Sequence, residues 1–289
     1  MDRFSRLHPT ALLLFFAVSL IVTLSFSNPF IAFASLLGAV AYTLSADVRR
    51  KGKLLLYVAV CVLLVGVFNM LFAHYGTAVL FTVKDIDFTL NALVYGLYQG
   101  TALAASLLWF TALGRCLDSE KLLYLLRFAP KTALLLSMIL GFLPRFLKKA
   151  ADIREAQLAL RGGEKAKGLK NRFRESLAVY SALVTYALES SIITADSLKA
   201  RGYNPKAVRP GRFRLTGGDT AFLAVTVFAG FYAVLQKAVG NFVFVFDPEI
   251  ISKRLSVPAL AVFALLELLP AIINIEEAIR WKRLSTVKA

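Results

Sequence analysis

Residues 54–72 read LLLYVAVCVLLVGVFNMLF, and this stretch decides the fold class. No residue in it carries charge, and Asn69 is its one amide. As a helix it would be about 28 Å long, close to the roughly 30 Å of a bilayer's hydrocarbon core. The same character recurs in residues 11–26, ALLLFFAVSLIVTLSF. Unbroken apolar blocks exclude a transmembrane barrel, whose strands alternate apolar and polar residues. The 289-residue chain is 58% hydrophobic, above the half that soluble domains reach, and its mean hydropathy is +0.66. An all-α integral membrane protein follows, with about six transmembrane helices near residues 10–27, 29–46, 54–74, 90–113, 218–236 and 257–275.

The formal net charge of +16 might point to nucleic acid, but the Lys and Arg residues fall between apolar blocks, where cytoplasmic loops carry them. Nucleic-acid binding is therefore set aside. Arg3 and Arg6 precede the first span, Arg49, Arg50, Lys51 and Lys53 follow the second, and Arg115, Lys121, Arg127 and Lys131 follow the fourth. If each span crosses once, these fall on one side, which the positive-inside rule makes the cytoplasm, together with both termini. The opposite loops are poor in positive charge, with the 237–255 loop the least clean because it holds Lys237, Lys253 and Arg254. Arg3 and Arg6 before an apolar run also resemble a signal peptide, but no small-residue cleavage site follows, so an uncleaved first span is the better reading.

The remaining stretch divides the chain into 1–113 and 217–289 in the membrane and a cytoplasmic region at 114–216. Residues 144–161 predict an amphipathic helix opening at Pro144, with Phe146, Ala150, Ile153 and Leu160 on one side and Lys148, Lys149, Asp152 and Glu155 on the other. Residues 176–201 predict a second helix, about 39 Å long, with a stripe of Leu177, Tyr180, Val184, Leu188, Ile192, Ala195 and Leu198. A polar, glycine-bearing turn separates them. Each helix closes on an Arg-Gly pair, Arg161-Gly162 and Arg201-Gly202. A glycine past a helix end supplies the left-handed cap, and a cation in the last turn suits the helix dipole. An exposed guanidinium at a helix tip is equally suited to pair bidentately with a carboxylate-lined groove.

At this point the sequence resembles a known family. AQLALRG at 156–162 and ADSLKARGY at 195–203 look like the two Ala-Arg-Gly signatures of the transmembrane (T) component of energy-coupling factor (ECF) transporters, the EcfT/CbiQ family of ABC-type vitamin and metal-ion importers. LHPTALLLFF, NALVYGLYQG, SEKLLYLLRFAP and LPRFLKKAADIREAQ extend the resemblance along most of the chain. It implies long cytoplasmic coupling helices whose tips enter grooves on two partner ABC ATPase subunits, and a separate substrate-binding membrane S component. Carried over by position, Arg161 and Arg201 would make the contacts, Gly162 and Gly202 would end the helices, and Ala200 would complete the second signature. Ala159, Leu160, Glu189 and Asp196 would support them. Leu160 stands where the family has alanine, and Leu140-Gly141-Phe142 stands where it often has Leu-Arg-Phe.

No other motif competes strongly. GGEKAKGLK at 162–170 lacks the Lys-Ser or Lys-Thr of a phosphate-binding loop and has no strand before it, so no cofactor is expected and ATP would be bound by partner subunits. The chain is not read as an enzyme. Cys61 and Cys116, His8 and His74 have no metal-ligand spacing. Glu189 and Glu267 are carboxylates in apolar surroundings; a structural hydrogen bond is weighed above a transport site for the first, and a proton relay at the second is the minority reading. The rival functions are an ion-coupled secondary transporter and a membrane-anchored adaptor that binds anionic lipid.

Overall fold

The computed structural model describes residues 3–46, 51–73, 79–83, 86–160, 168–202, 213–245, 251–253 and 256–286. The described residues are overwhelmingly helical. In chain order the helices are α1 (Pro9–Ser25), α2 (Pro29–Ala46), α3 (Lys51–Phe72), α4 (Leu90–Cys116), α5 (Ser119–Leu125), α6 (Pro130–Leu160), α7 (Leu169–Ala200), α8 (Gly217–Ala238) and α9 (Val257–Thr286). Two small antiparallel hairpins accompany them, β1 (Val79–Val83) with β2 (Ile86–Thr89), and β3 (Val243–Val245) with β4 (Ile251–Lys253). Among the described residues, six helices are long and apolar enough to cross a membrane: α2, α3, α4, α7, α8 and α9. The chain is an all-α, multi-pass membrane protein.

Five of those six are spans expected from the sequence. The first expected span, 10–27, forms α1, which at 17 residues falls just short in length. α7 takes its place in the set, because residues 177–193 in its middle are mostly apolar, with Glu189 their one charged residue. The chain separates into two compact units, Met1–Asp118 with Phe213–Ala289, and Ser119–Arg212.

In the first unit, polar residues open the helices. His8 caps α1, its Nδ1 accepting the Thr10 N–H at 3.3 Å ahead of Pro9, whose missing N–H costs nothing in a first turn. Asn28 begins α2 by accepting the Phe30 N–H at 2.9 Å. At α8, Thr216 and Asp219 form a reciprocal capping box, in which Oδ2 of Asp219 accepts the Thr216 N–H at 3.0 Å. Oδ1 of Asp219 accepts the His8 N–H at 3.2 Å, which ties the start of α1 to the start of α8.

Aromatic rings fill the centre. Phe4, in a short 3₁₀ turn before α1, is fully buried, with Phe15, Phe16, Tyr42 and Phe222 around it at centroid distances of 5.4–6.0 Å, mostly edge to face. Trp109 of α4 stacks on Tyr42 and donates its indole N–H to Ser35 Oγ at 3.1 Å. Glycines set the closest helix contacts. A Cβ on Gly96 would stand 2.6 Å from the Asn69 Cβ, and one on Gly100 would stand 2.8 Å from the Val62 carbonyl oxygen, so α3 lies backbone to backbone on α4. The remaining faces of α3, through Leu56, Leu63, Phe68 and Phe72, are exposed. That surface suits lipid.

Candidate functional site

The second unit carries the residues singled out by the sequence. Its two long helices, α6 with 31 residues and α7 with 32, would each extend about 46–48 Å. α6 begins at Pro130, which occupies the first helical position after Ala129, whose carbonyl accepts the Ala133 N–H at 3.0 Å. The expected start at Pro144 is therefore corrected: Pro144 lies inside the helix. A proline withdraws one backbone bond, that onto the Leu140 carbonyl, and the neighbouring turns carry the helix across it.

The helices touch near their midpoints. Phe146 of α6 meets Tyr186 of α7 edge to face at 6.0 Å, and the Lys149 ammonium stands 5.3 Å above the same ring. Phe142 stacks on Phe146 at 5.9 Å. Phe146, Ala150 and Ile153 are half-buried, as the expected stripe on α6 requires, but Leu160 is 87% exposed. On α7 the expected stripe is out of phase. Leu177, Tyr180, Val184, Leu188, Ile192 and Ala195 are exposed, with Leu198 half-buried, while the shielded side runs through Val179, Leu183, Tyr186, Ala187, Ser190 and Thr194. Where a helix is apolar on most sides, periodicity names no single inward face, and the position of Tyr186 under Phe146 selects it.

The far end of α7 closes on the second Arg-Gly pair. Arg201 is the capping residue, and Gly202 takes φ 69°, the left-handed conformation that a side chain disfavours. The Gly202 N–H donates to the Lys199 carbonyl at 3.0 Å, and the Arg201 N–H donates to the Ser197 carbonyl at 3.1 Å. This is a glycine-terminated helix end. Arg201 and Ala200 are exposed, as are Glu189 and Asp196 further back along the helix. Nothing lies within 4 Å of where a Gly202 side chain would begin. Ala159 and Leu160 are exposed at the end of α6. Arg161 and Gly162 lie outside the described residues, as does His74. Leu160 is 14 residues past Phe146, and Ala200 is 14 residues past Tyr186. The two helix ends thus stand at equal arms of about 21 Å from the residues that cross.

In the first unit, Glu267 of α9 is fully buried, and its Oε1 accepts a hydrogen bond from Ser19 Oγ of α1 at 2.6 Å. Oε2 has no partner among the described residues. Gly38 of α2 packs directly on the Glu267 backbone. Ser19 and Gly38 escaped sequence reasoning because neither has a local signature; only packing brings them to Glu267. The box of Thr216 and Asp219 was legible, since Thr-x-x-Asp before an apolar run signals a helix start.

Among the described residues, the long apolar helices define a multi-pass membrane protein, and the second unit pairs two long helices, the latter of which ends in an exposed arginine. The sequence profile of the family described as CbiQ, cobalt transport protein, matches residues 3–210, most of the chain and the whole paired-helix unit but its last residues, and the chain belongs to that family. It is a membrane component of a transporter. No curated protein matches the sequence.

Proposed function

We propose that this chain is the transmembrane scaffold and coupling subunit of an ECF-type ABC importer. Two partner ATPases bind and hydrolyse ATP, a separate membrane subunit binds the cargo, and this chain joins them. The observation that carries the reading is the exposed Arg201 on a glycine-ended helix, crossed at its midpoint by a second helix that ends just before Arg161-Gly162. Each tip enters a groove on one ATPase. When the ATPases close on ATP the grooves shift, and a stiff helix pair crossing near its midpoint passes the shift on, where a loop would absorb it. The exposed stripe of Leu177, Tyr180, Val184, Leu188 and Ile192 offers the cargo-binding subunit an apolar surface. The family's description supports a metal ion, cobalt first, as the cargo to test. The termini and the 114–216 region face the cytoplasm, by the distribution of Lys and Arg.

The test is co-purification of the ATPases and the cargo-binding subunit with wild type, Arg161→Glu, Arg201→Glu and the double variant at matched expression. Losing one partner of a buried charge pair costs about 2–5 kcal/mol, and reversal adds repulsion, so each single variant should lose most of its ATPase. The double variant should lose uptake as well, yet retain the cargo-binding subunit. An arginine serving only the helix dipole is worth about 1 kcal/mol or less, which would leave assembly intact. Full ATPase recovery and uptake in the double variant would refute the coupling role.

A further inference from the structure

Glu267 lies near the middle of the apolar part of α9, which runs from Val257 to Glu277, and none of its surface is exposed. A carboxyl group buried within a membrane span is ordinarily matched by a cation or by a set of hydrogen-bond donors. Among the described residues Glu267 has neither.

One donor reaches it, the Ser19 hydroxyl on Oε1 at 2.6 Å, and Oε2 has none. The polar side chains that follow on from Ser19 are already engaged with one another. Trp109 gives its indole N–H to Ser35 Oγ, the Thr23 hydroxyl lies 2.8 Å from that oxygen, and Thr23 also donates to the Ser19 carbonyl at 2.8 Å. All three are neutral. α2 brings bare backbone to the Glu267 Cβ and carbonyl, because the residue standing there is Gly38.

No described charge faces the carboxyl either. α1 holds no ionisable residue, and α2 holds only Tyr42, whose hydroxyl pairs with Cys116 Sγ of α4 at 3.0 Å. The charged residues of α8 are Asp219 and Lys237, at its two ends, and Asp219 is committed to the cap and to the His8 N–H. His8 itself caps α1, 11 positions before Ser19, and Arg3, Arg6 and Arg115 are exposed at element ends. The tyrosines of α4 and α8 lie toward the opposite end, with Tyr98 donating to the Phe26 carbonyl. Along α9 the next charged residue is Glu276, nine positions and about 14 Å further on.

A carboxylate so enclosed, with one hydrogen bond and no counter-ion, neutralises by taking up a proton. We propose that Glu267 is a proton-binding site of the packed helices, a neutral acid with the proton on Oε2 and the Ser19 hydroxyl on Oε1. The proton comes from water as α1, α2 and α9 close around the side chain, and returns to water when they part. Packing and proton binding therefore favour each other. No group of three or more His, Cys, Asp or Glu side chains suited to a metal ion occurs among the described residues, so a metal finds no ligand set at Glu267. With no second ionisable group beside it, the site holds a proton and does not relay one.

The test is infrared spectroscopy of the full chain at about pH 6, where exposed carboxylates are ionised, in a maltoside detergent that has no ester carbonyl. Wild type should show the C=O stretch of a neutral carboxylic acid above the amide band, equivalent to one carboxyl per chain, and Glu267→Gln should lose it. Ser19→Ala should keep the band and move it to higher frequency, because the acid's C=O no longer accepts a hydrogen bond; this arm stands even if Glu267→Gln folds poorly. Heating wild type through its melting transition should remove the band as water reaches the carboxyl. Absence of the band from wild type, its survival in Glu267→Gln, or a position unmoved by Ser19→Ala would overturn the proposal. So would a band that disappears on adding sodium ions, which would assign the oxygens to a metal, or one that outlasts melting, which would separate the proton from the packing.

Discussion

Replacing Gly38 by alanine tests how closely α2 and α9 are joined beside Glu267. The new methyl carbon would stand 2.7 Å from the Glu267 Cβ, 2.7 Å from its carbonyl oxygen and 2.9 Å from its carbonyl carbon. Ordinary carbon contacts lie at about 3.5–4.0 Å, so α9 must retreat by about 1 Å. Two of the three obstacles are backbone atoms, which no side-chain rotation can clear. Overpacking of this kind costs about 1–3 kcal/mol. The retreat also strains the 2.6 Å hydrogen bond between Ser19 and the buried Glu267, adding about 1 kcal/mol if that bond is lost. Alanine's better helix propensity returns just under about 1 kcal/mol. The net loss is about 1–3 kcal/mol, which for a chain of this size lowers the melting midpoint by roughly 5 °C. Gly114→Ala is the control, because nothing lies within 4 Å of a Cβ there, and it should be neutral or slightly stabilising. The assay is thermal unfolding of the detergent-purified chain. A Gly38→Ala variant that melts at or above wild type would refute the backbone contact, and with it the account of how α9 is held.

Two further outcomes are expected. Phe4→Ala removes a fully buried ring with aromatic neighbours on several sides, and should cost about 3–5 kcal/mol and shift the fluorescence of Trp109, which shares those neighbours; unchanged stability would place the N-terminal turn outside the core. Lys167→Cys, in a background with Cys61 and Cys116 changed to alanine, should resist an impermeant thiol reagent on intact cells and react after permeabilisation; labelling of intact cells would reverse the proposed orientation.

Much of the architecture could be read locally. α2, α3, α4, α8 and α9 follow from long uncharged blocks, because the bilayer imposes one length and one composition on any helix that crosses it. The Arg201-Gly202 pair forms a left-handed helix end, a geometry that depends on the glycine itself and so is written in the sequence. The hairpin of β1 and β2 also had a local signal, the alternation of Val79, Phe81 and Val83 against Ile86 and Phe88, but the apolar spans on either side overshadowed it.

Other features depended on what each helix meets. Pro144 reads locally as a helix start, yet α6 runs through it, since the cost of one lost backbone bond is small beside a helix of 31 residues. The stripe expected on α7 is exposed because a segment apolar on most sides leaves its inward face to be chosen by its partner, here Phe146 on Tyr186. Glu267 stands alone in the sequence, and only folding brings Ser19 to it across 248 positions. Hydropathy and caps are properties of neighbouring residues, so the sequence alone determined the apolar helices and caps such as Gly202; where α6 begins, which faces turn inward and which polar groups pair depend on surfaces brought together, and those the tertiary structure decided.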